Sequence, residues 1–241
     1  MSSGPGQSKA ASLQRAFALG LRPRTVIDVG VATGTKGLYG AFPDVRYVLI
    51  EPLRESEAFM QQIVERYPGS IAVCAAAGAA PGEAEFVVHP DLSGSSFHLN
   101  PKFGEVRKVP VVTVDGVVKE HGLEGPFLLK LDVQGFELEV LEGARETLGR
   151  TDLVMTEASL WADRKRQRMP SLIEMLSWFE KQGFALYDIA YVVRRRLDDA
   201  VTELDLVFCP ADSPLRSTTA YNAPEHKAEL MENRRRKFGL D

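Results

Sequence analysis

Two stretches of this sequence carry residue types whose spacing suits ligand chemistry. In Val26-Ile-Asp-Val-Gly30-Val-Ala-Thr-Gly34, a β-branched run reaches Asp28 and passes into a turn with glycines at 30 and 34. Glycine lets backbone turn tightly beneath a ligand. Glu51 follows the apolar run Tyr47-Val-Leu-Ile50 and stands 23 positions after Asp28. An acid at the end of the second strand of a doubly wound sheet accepts hydrogen bonds from ribose hydroxyls. Singly, each feature reads as a glycine turn or a strand-end acid with no ligand; together they point to a nucleoside-containing cofactor. The dinucleotide fingerprint needs three glycines at fixed offsets, and their absence disfavours a nicotinamide-dependent oxidoreductase.

The second stretch is Leu129-Lys-Leu-Asp-Val-Gln-Gly-Phe-Glu137. Side chains alternate along a strand, so Lys130 and Asp132 share a face of an otherwise apolar element. Charges there need partners. Ligands of open α/β sheets bind beyond the carboxyl ends of the strands, where Asp132 falls. A buried lysine–acid bridge that only stiffens the sheet is the plainer alternative. Glu157 ends the following apolar run and stands near Asp132 if the two strands are neighbours. Weaker candidates surround these. Ser95, Ser96 and His98 lie in a Ser/Gly loop able to fold over a site. Trp161 and Arg164 open a loop rich in arginine and lysine that could attract an anionic acceptor. Surface positions with no ligand are the alternative for each.

The elements that must position these residues follow from periodicity. Short buried strands are expected at 25–29, 47–50, 71–74, 127–131 and 153–156, with helices at 8–19, 54–67, 136–148 and 171–181. A hairpin of strands at about 185–193 and 202–208 ends the series. Strand–helix alternation with continuous apolar strands implies a mostly parallel sheet covered on both faces. Residues 78–114 break the alternation, with two short strands in a β insertion at the edge or face of that sheet. Three regions result: an N-terminal tail and helix (1–24), a core domain (25–210) and a C-terminal extension (211–241), helical from about 224.

Composition bounds the rest. Among 241 residues, 44% are apolar and 26% charged, and 29 basic against 33 acidic side chains give a net charge of −4. That mix is a folded protein's rather than a disordered chain's. A sequence pI near 5.7 argues against a nucleic-acid-binding surface. The N-terminus has no apolar signal core and the chain no apolar run long enough to span a membrane, so a cytoplasmic protein is expected. Cys74 and Cys209 read as small core residues of a reducing compartment.

The strings Val26-Ile-Asp-Val-Gly, Leu49-Ile-Glu-Pro52 and Leu129-Lys-Leu-Asp-Val-Gln-Gly-Phe-Glu137 together resemble the FkbM family of S-adenosylmethionine-dependent methyltransferases. The likeness runs from about 25 to 210, and the Lys130–Glu137 string is its most specific part. It implies a class I methyltransferase fold, with a Rossmann-like seven-stranded sheet whose last strand is antiparallel. It also implies S-adenosyl-L-methionine as cofactor and methylation of a hydroxyl on a small-molecule natural product or sugar. On this sequence it would put the methionine part at the Gly30–Gly34 turn with Asp28 near its amine, the ribose at Glu51, and the adenine beside Cys74, Ala75 and Ala76. Asp132 would be the base, or a metal ligand if a divalent metal takes part. Lys130 would orient it, with Gln134 and Glu157 around the reacting oxygen. The chain departs from the family at Val31-Ala-Thr33, where Ala-Asn is frequent, and at Gln134, commonly glutamate. A non-catalytic protein of the same fold that binds a nucleoside or a partner chain is the alternative, and the oligomeric state stays open, a homodimer included.

Overall fold

The computed structural model describes residues 8–35, 37–161, 169–218, 220 and 223–240. The chain opens with α1 (Lys9–Ala18), β1 (Thr25–Val29), α2 (Leu38–Ala41), β2 (Arg46–Ile50), α3 (Glu57–Arg66) and β3 (Ile71–Val73). An insertion follows, made of β4 (Ala76–Ala77), β5 (Gly82–Val88) and β6 (Glu105–Val112). Alternation then resumes with α4 (Val114–Glu120), β7 (Phe127–Leu131), α5 (Glu137–Glu142), α6 (Arg145–Leu148), β8 (Thr151–Ser159) and α7 (Leu172–Lys181). Strands β9 (Phe184–Arg194) and β10 (Val201–Pro210) and helix α8 (Pro224–Lys237) complete it.

Seven strands form one sheet in the order β3-β2-β1-β7-β8-β10-β9. β1 pairs in parallel with β2 and β7, and β7 with β8, whereas β10 runs antiparallel between β8 and β9. The Rossmann-like sheet with an antiparallel last strand expected from the sequence is therefore present. All five residues of β1 and all five of β7 are buried. Their side chains alternate between two apolar layers. Ile27, Val29, Leu129 and Leu131 pack with residues of α4, α5, α6 and α7. Val26 and Leu128 pack with residues of α1, α2 and α3. Helices on both faces explain why these strands read as continuous apolar runs. Among the described residues, no helix is long and apolar enough to cross a membrane.

Several boundaries differ from expectation, each for a tertiary reason. The expected β insertion has three strands rather than two and forms a sheet of its own, β4-β6-β5. β3 is an edge strand ending at Val73, which leaves Cys74 exposed and only Cys209 in the core. The helix expected over 136–148 divides into α5 and α6 around Gly143, where an added Cβ would lie 2.1 Å from the Gly78 carbonyl oxygen. β8 continues past Thr156 to Ser159, so Glu157 lies within the strand, opposite Asp205 of β10.

Candidate active site

A cavity of about 610 Å³ opens beyond the carboxyl ends of β1, β2 and β7, within the range of small-molecule sites. At one end the chain turns at Gly30 with φ +76°, and an added Cβ would lie 1.9 Å from the Asp132 carbonyl oxygen. No other residue fits between these two strand ends. Gly34, at φ +93°, leaves room instead for the Phe59 ring. Glu51 lines the cavity, and its carboxylate accepts from the Ala32 and Leu53 N–H groups, one oxygen each at 3.0 Å. Burial pushes its carboxyl up against these two bonds. Each oxygen keeps acceptor capacity, which suits a pair of ribose hydroxyls. Beside it Leu53, Ala76 and Phe86 form an apolar wall where the insertion sheet meets the core. An acid flanked by an apolar slot fits a nucleoside.

The other end is charged. Asp28 and Lys130 are register neighbours on β1 and β7, and both are buried. Lys130 Nζ lies 2.8 Å from Asp28 Oδ1 and donates to the Gly30 carbonyl at 2.7 Å. Tyr39 donates to Asp28 Oδ2 at 2.5 Å. Burial disfavours the ammonium, yet the Asp28 and Asp132 carboxylates hold the Lys130 pKa above its ordinary value. The pair thus ties the glycine turn to β7. Asp132, just past β7, turns Oδ2 toward Lys9 at 3.7 Å and Lys130 at 3.8 Å. Its Oδ1 accepts from Gln134 Nε2 at 3.0 Å, and the same nitrogen donates to Glu157 Oε2 at 3.1 Å. Lys9 also pairs with Asp205 at 3.1 Å.

These neighbours drive the two acids apart. Burial opposes the Asp132 anion, but Lys130, Lys9 and the Gln134 amide hold its carboxyl below the usual range. Burial pushes Glu157 well up, and the Asp132 and Asp205 charges push it further. The arrangement therefore favours the anion at Asp132 and disfavours it at Glu157. Two titratable groups separated in this way are a frequent mark of acid–base sites.

The loop between them is clamped on both sides. Gln134 has φ +54° and Gly135 φ +104°. The buried Glu137 carboxylate accepts from the N–H groups of Val133 at 3.3 Å and Gly135 at 3.1 Å. Burial pushes the Glu137 carboxyl up to about 7. From the insertion, Ser96 Oγ donates to the Gln134 carbonyl at 2.6 Å, and His98 Nδ1 lies 2.9 Å from the Gly135 carbonyl.

Of the residues singled out in the sequence, Gly30, Gly34, Glu51, Ala76, Ser95, Lys130, Asp132, Gln134 and Glu157 line the cavity. Asp28, Cys74, Ala75, Ser96, His98 and Trp161 do not. Asp28 sits behind the wall on Lys130, and Ala75 is buried. Trp161 lies under the Arg195 guanidinium and donates to the Val201 carbonyl. Arg164 lies outside the described residues. Lys9 and Phe86 line the cavity without having been singled out, and Asp205 and Glu137 brace it. Glu137 lay in the motif string; Lys9 carried no local signal. Among the described residues no group of three or more His, Cys, Asp and Glu converges to hold a metal ion.

The family model described as the methyltransferase FkbM domain matches residues 28–186, well over half of the chain. No curated protein matches. Among solved structures, the chain is similar to the 1,6-didemethyltoxoflavin-N1-methyltransferase of Burkholderia thailandensis, determined with its substrate and S-adenosylhomocysteine. Identity there is 13%, coverage 84% of this chain and 76% of that one, and the TM-score 0.44. It is similar also to an S-adenosylmethionine-dependent methyltransferase of Leishmania major (11% identity, 82% and 70% covered, TM-score 0.42). The 23S rRNA methyltransferase ErmE is a third (16%, 93% and 75%, 0.41). The matched family model leads to one conclusion: the chain belongs to the FkbM methyltransferase family, with S-adenosyl-L-methionine as its methyl donor.

Proposed function

We propose that this methyltransferase acts on a hydroxyl group of a small-molecule natural product or a saccharide. The observation that carries the reading is the Asp132–Gln134–Glu157 cluster, which lines the cavity just beyond β7 and on β8. A neutral alcohol is a poor nucleophile and needs a proton acceptor and close alignment. When bound, S-adenosylmethionine supplies an electrophilic methyl group, and an attacking oxygen becomes strongly acidic as its new bond forms. A weak base then suffices. Asp132, held toward its anion by its two lysines, takes that proton at a carboxylate oxygen, while Glu157, where burial disfavours the anion, hydrogen-bonds the acceptor. Glu51 would hold the ribose, the Leu53–Ala76–Phe86 wall the base, and the turn after Gly30 the methionine portion. Asp28 would act through Lys130, by fixing that turn, rather than by touching the ligand.

The low sequence pI and the carboxylates at this end of the cavity favour a compact neutral acceptor over nucleic acid. Lys9 and Lys130 both face carboxylates, so neither is a ready counter-charge for an anionic one. The test is transfer of a labelled methyl group to hydroxylated metabolites and sugars, each matched by an amine analogue. Label on oxygen, with Asp132→Asn slower by about 10²–10⁴, is the expected result. Label on nitrogen alone, or a fully active Asp132→Asn, overturns it.

A further inference from the structure

Gln134 stands between Asp132 and Glu157 and links them. One amide nitrogen carries two N–H donors, and Nε2 spends them on Asp132 Oδ1 at 3.0 Å and Glu157 Oε2 at 3.1 Å. The backbone is committed to this placement. At φ +54°, Gln134 occupies a region L side chains seldom adopt, and such a conformation persists only where its surroundings over-determine it. Glu137 holds the N–H groups on either side of it, and Ser96 and His98 hold the carbonyls of Gln134 and Gly135. Three residues, Glu137, Ser96 and His98, therefore fix the point to which one amide nitrogen is delivered.

A bridging nitrogen between two carboxylate oxygens does the work a divalent cation does elsewhere. Magnesium holds such oxygens at about 2.0–2.1 Å and calcium at about 2.3–2.6 Å. The distances here are longer, so the two acids stand apart by roughly half an ångström to one ångström more on each side than an ion would set them. The outer oxygen of Asp132 already faces Lys9 and Lys130. We propose that Gln134 is a positioning residue that takes the place of a bridging divalent cation, so that Asp132 and Glu157 are held in register for the acceptor without a metal. The side chain at 134 is then what decides between an amide-organised and a metal-organised pocket. A glutamate on the same backbone would bring a third carboxylate against the other two and complete a set of oxygen ligands for manganese or magnesium.

The inference rests on Asp132 and Glu157 facing the acceptor, but its test needs no acceptor. Calorimetry with manganese chloride is carried out on the wild-type protein, Gln134→Glu, and Gln134→Glu combined with Asp132→Asn. The expected result is no saturable binding to the wild type at millimolar manganese. Gln134→Glu should bind at least about tenfold more tightly, and the second substitution should remove the gain. The melting shift given by S-adenosylhomocysteine reports that each variant keeps its fold and cofactor cleft. Once an acceptor is in hand, chelation should leave the wild-type rate unchanged. Manganese should restore a slow Gln134→Glu but not a slow Gln134→Ala, a rescue that a merely structural role would not produce. Saturable manganese binding by the wild type that Asp132→Asn abolishes overturns the proposal. So does a folded Gln134→Glu with no gain in affinity. The wild-type arm decides by itself if the glutamate variant does not fold.

Discussion

At Gly30 the backbone passes so close to Asp132 that a methyl group has no room. Gly30→Ala is therefore expected to lose S-adenosylhomocysteine binding in calorimetry and, with the added strain, to cost at least about 1–3 kcal/mol in denaturant unfolding. Lys130→Met should cost more, about 3–5 kcal/mol, because it leaves Asp28 buried with Tyr39 as its remaining side-chain partner. Adding Asp28→Asn to it should recover part of that loss; strict additivity of the two would contradict the pairing. Both positions were legible in the sequence, because their signal is local: a glycine closing a β-branched run, and a lysine inside an apolar one. Lys9 was not legible. It sits in a polar N-terminal stretch, and only the packing of α1 brings its ammonium to Asp132 and Asp205. The placement of Asp28 was only half legible, since the sequence puts it near a strand end but not behind a lysine.

Among the elements, the insertion sheet forms the apolar wall of the cavity and pins the 133–135 turn through Ser96 and His98. Removing the Ser96 hydroxyl should loosen that tie by about 1 kcal/mol, the usual net value of one hydrogen bond. Ser96→Ala is thus expected to weaken acceptor binding about fivefold as a rise in KM, with a loss of at least about 1 kcal/mol in unfolding. An unchanged KM would mean that the loop does not set the turn. The mostly parallel sheet and its two-sided core could be read from strand–helix alternation and continuous apolar strands, whereas the order of the strands could not. The division of α5 from α6 could not, because it depends on Gly143 meeting Gly78 across the fold. Nor could the independence of the insertion sheet, since strand spacing reveals that strands exist and not which sheet they join.

For the molecule as a whole, buried acids set the dependence of stability on pH. Glu137 titrates near 7 when folded, against an ordinary value of 4.5. A folded pKa raised in this way contributes stability that is full below the unfolded value and is lost as pH rises through the folded one. Asp132, held low, acts in the opposite sense, its contribution falling away in acid. Between about pH 5 and 8 the Glu137 contribution should decline by up to about 3 kcal/mol. Urea midpoints across that range check it, and Glu137→Gln should flatten the slope. The pairing of Lys9 with Asp205 has a consequence of another kind. One residue lies on the first helix and the other on the last strand in the chain, so the buried Asp205 carboxylate gains its counter-charge only when the two distant ends of the fold meet.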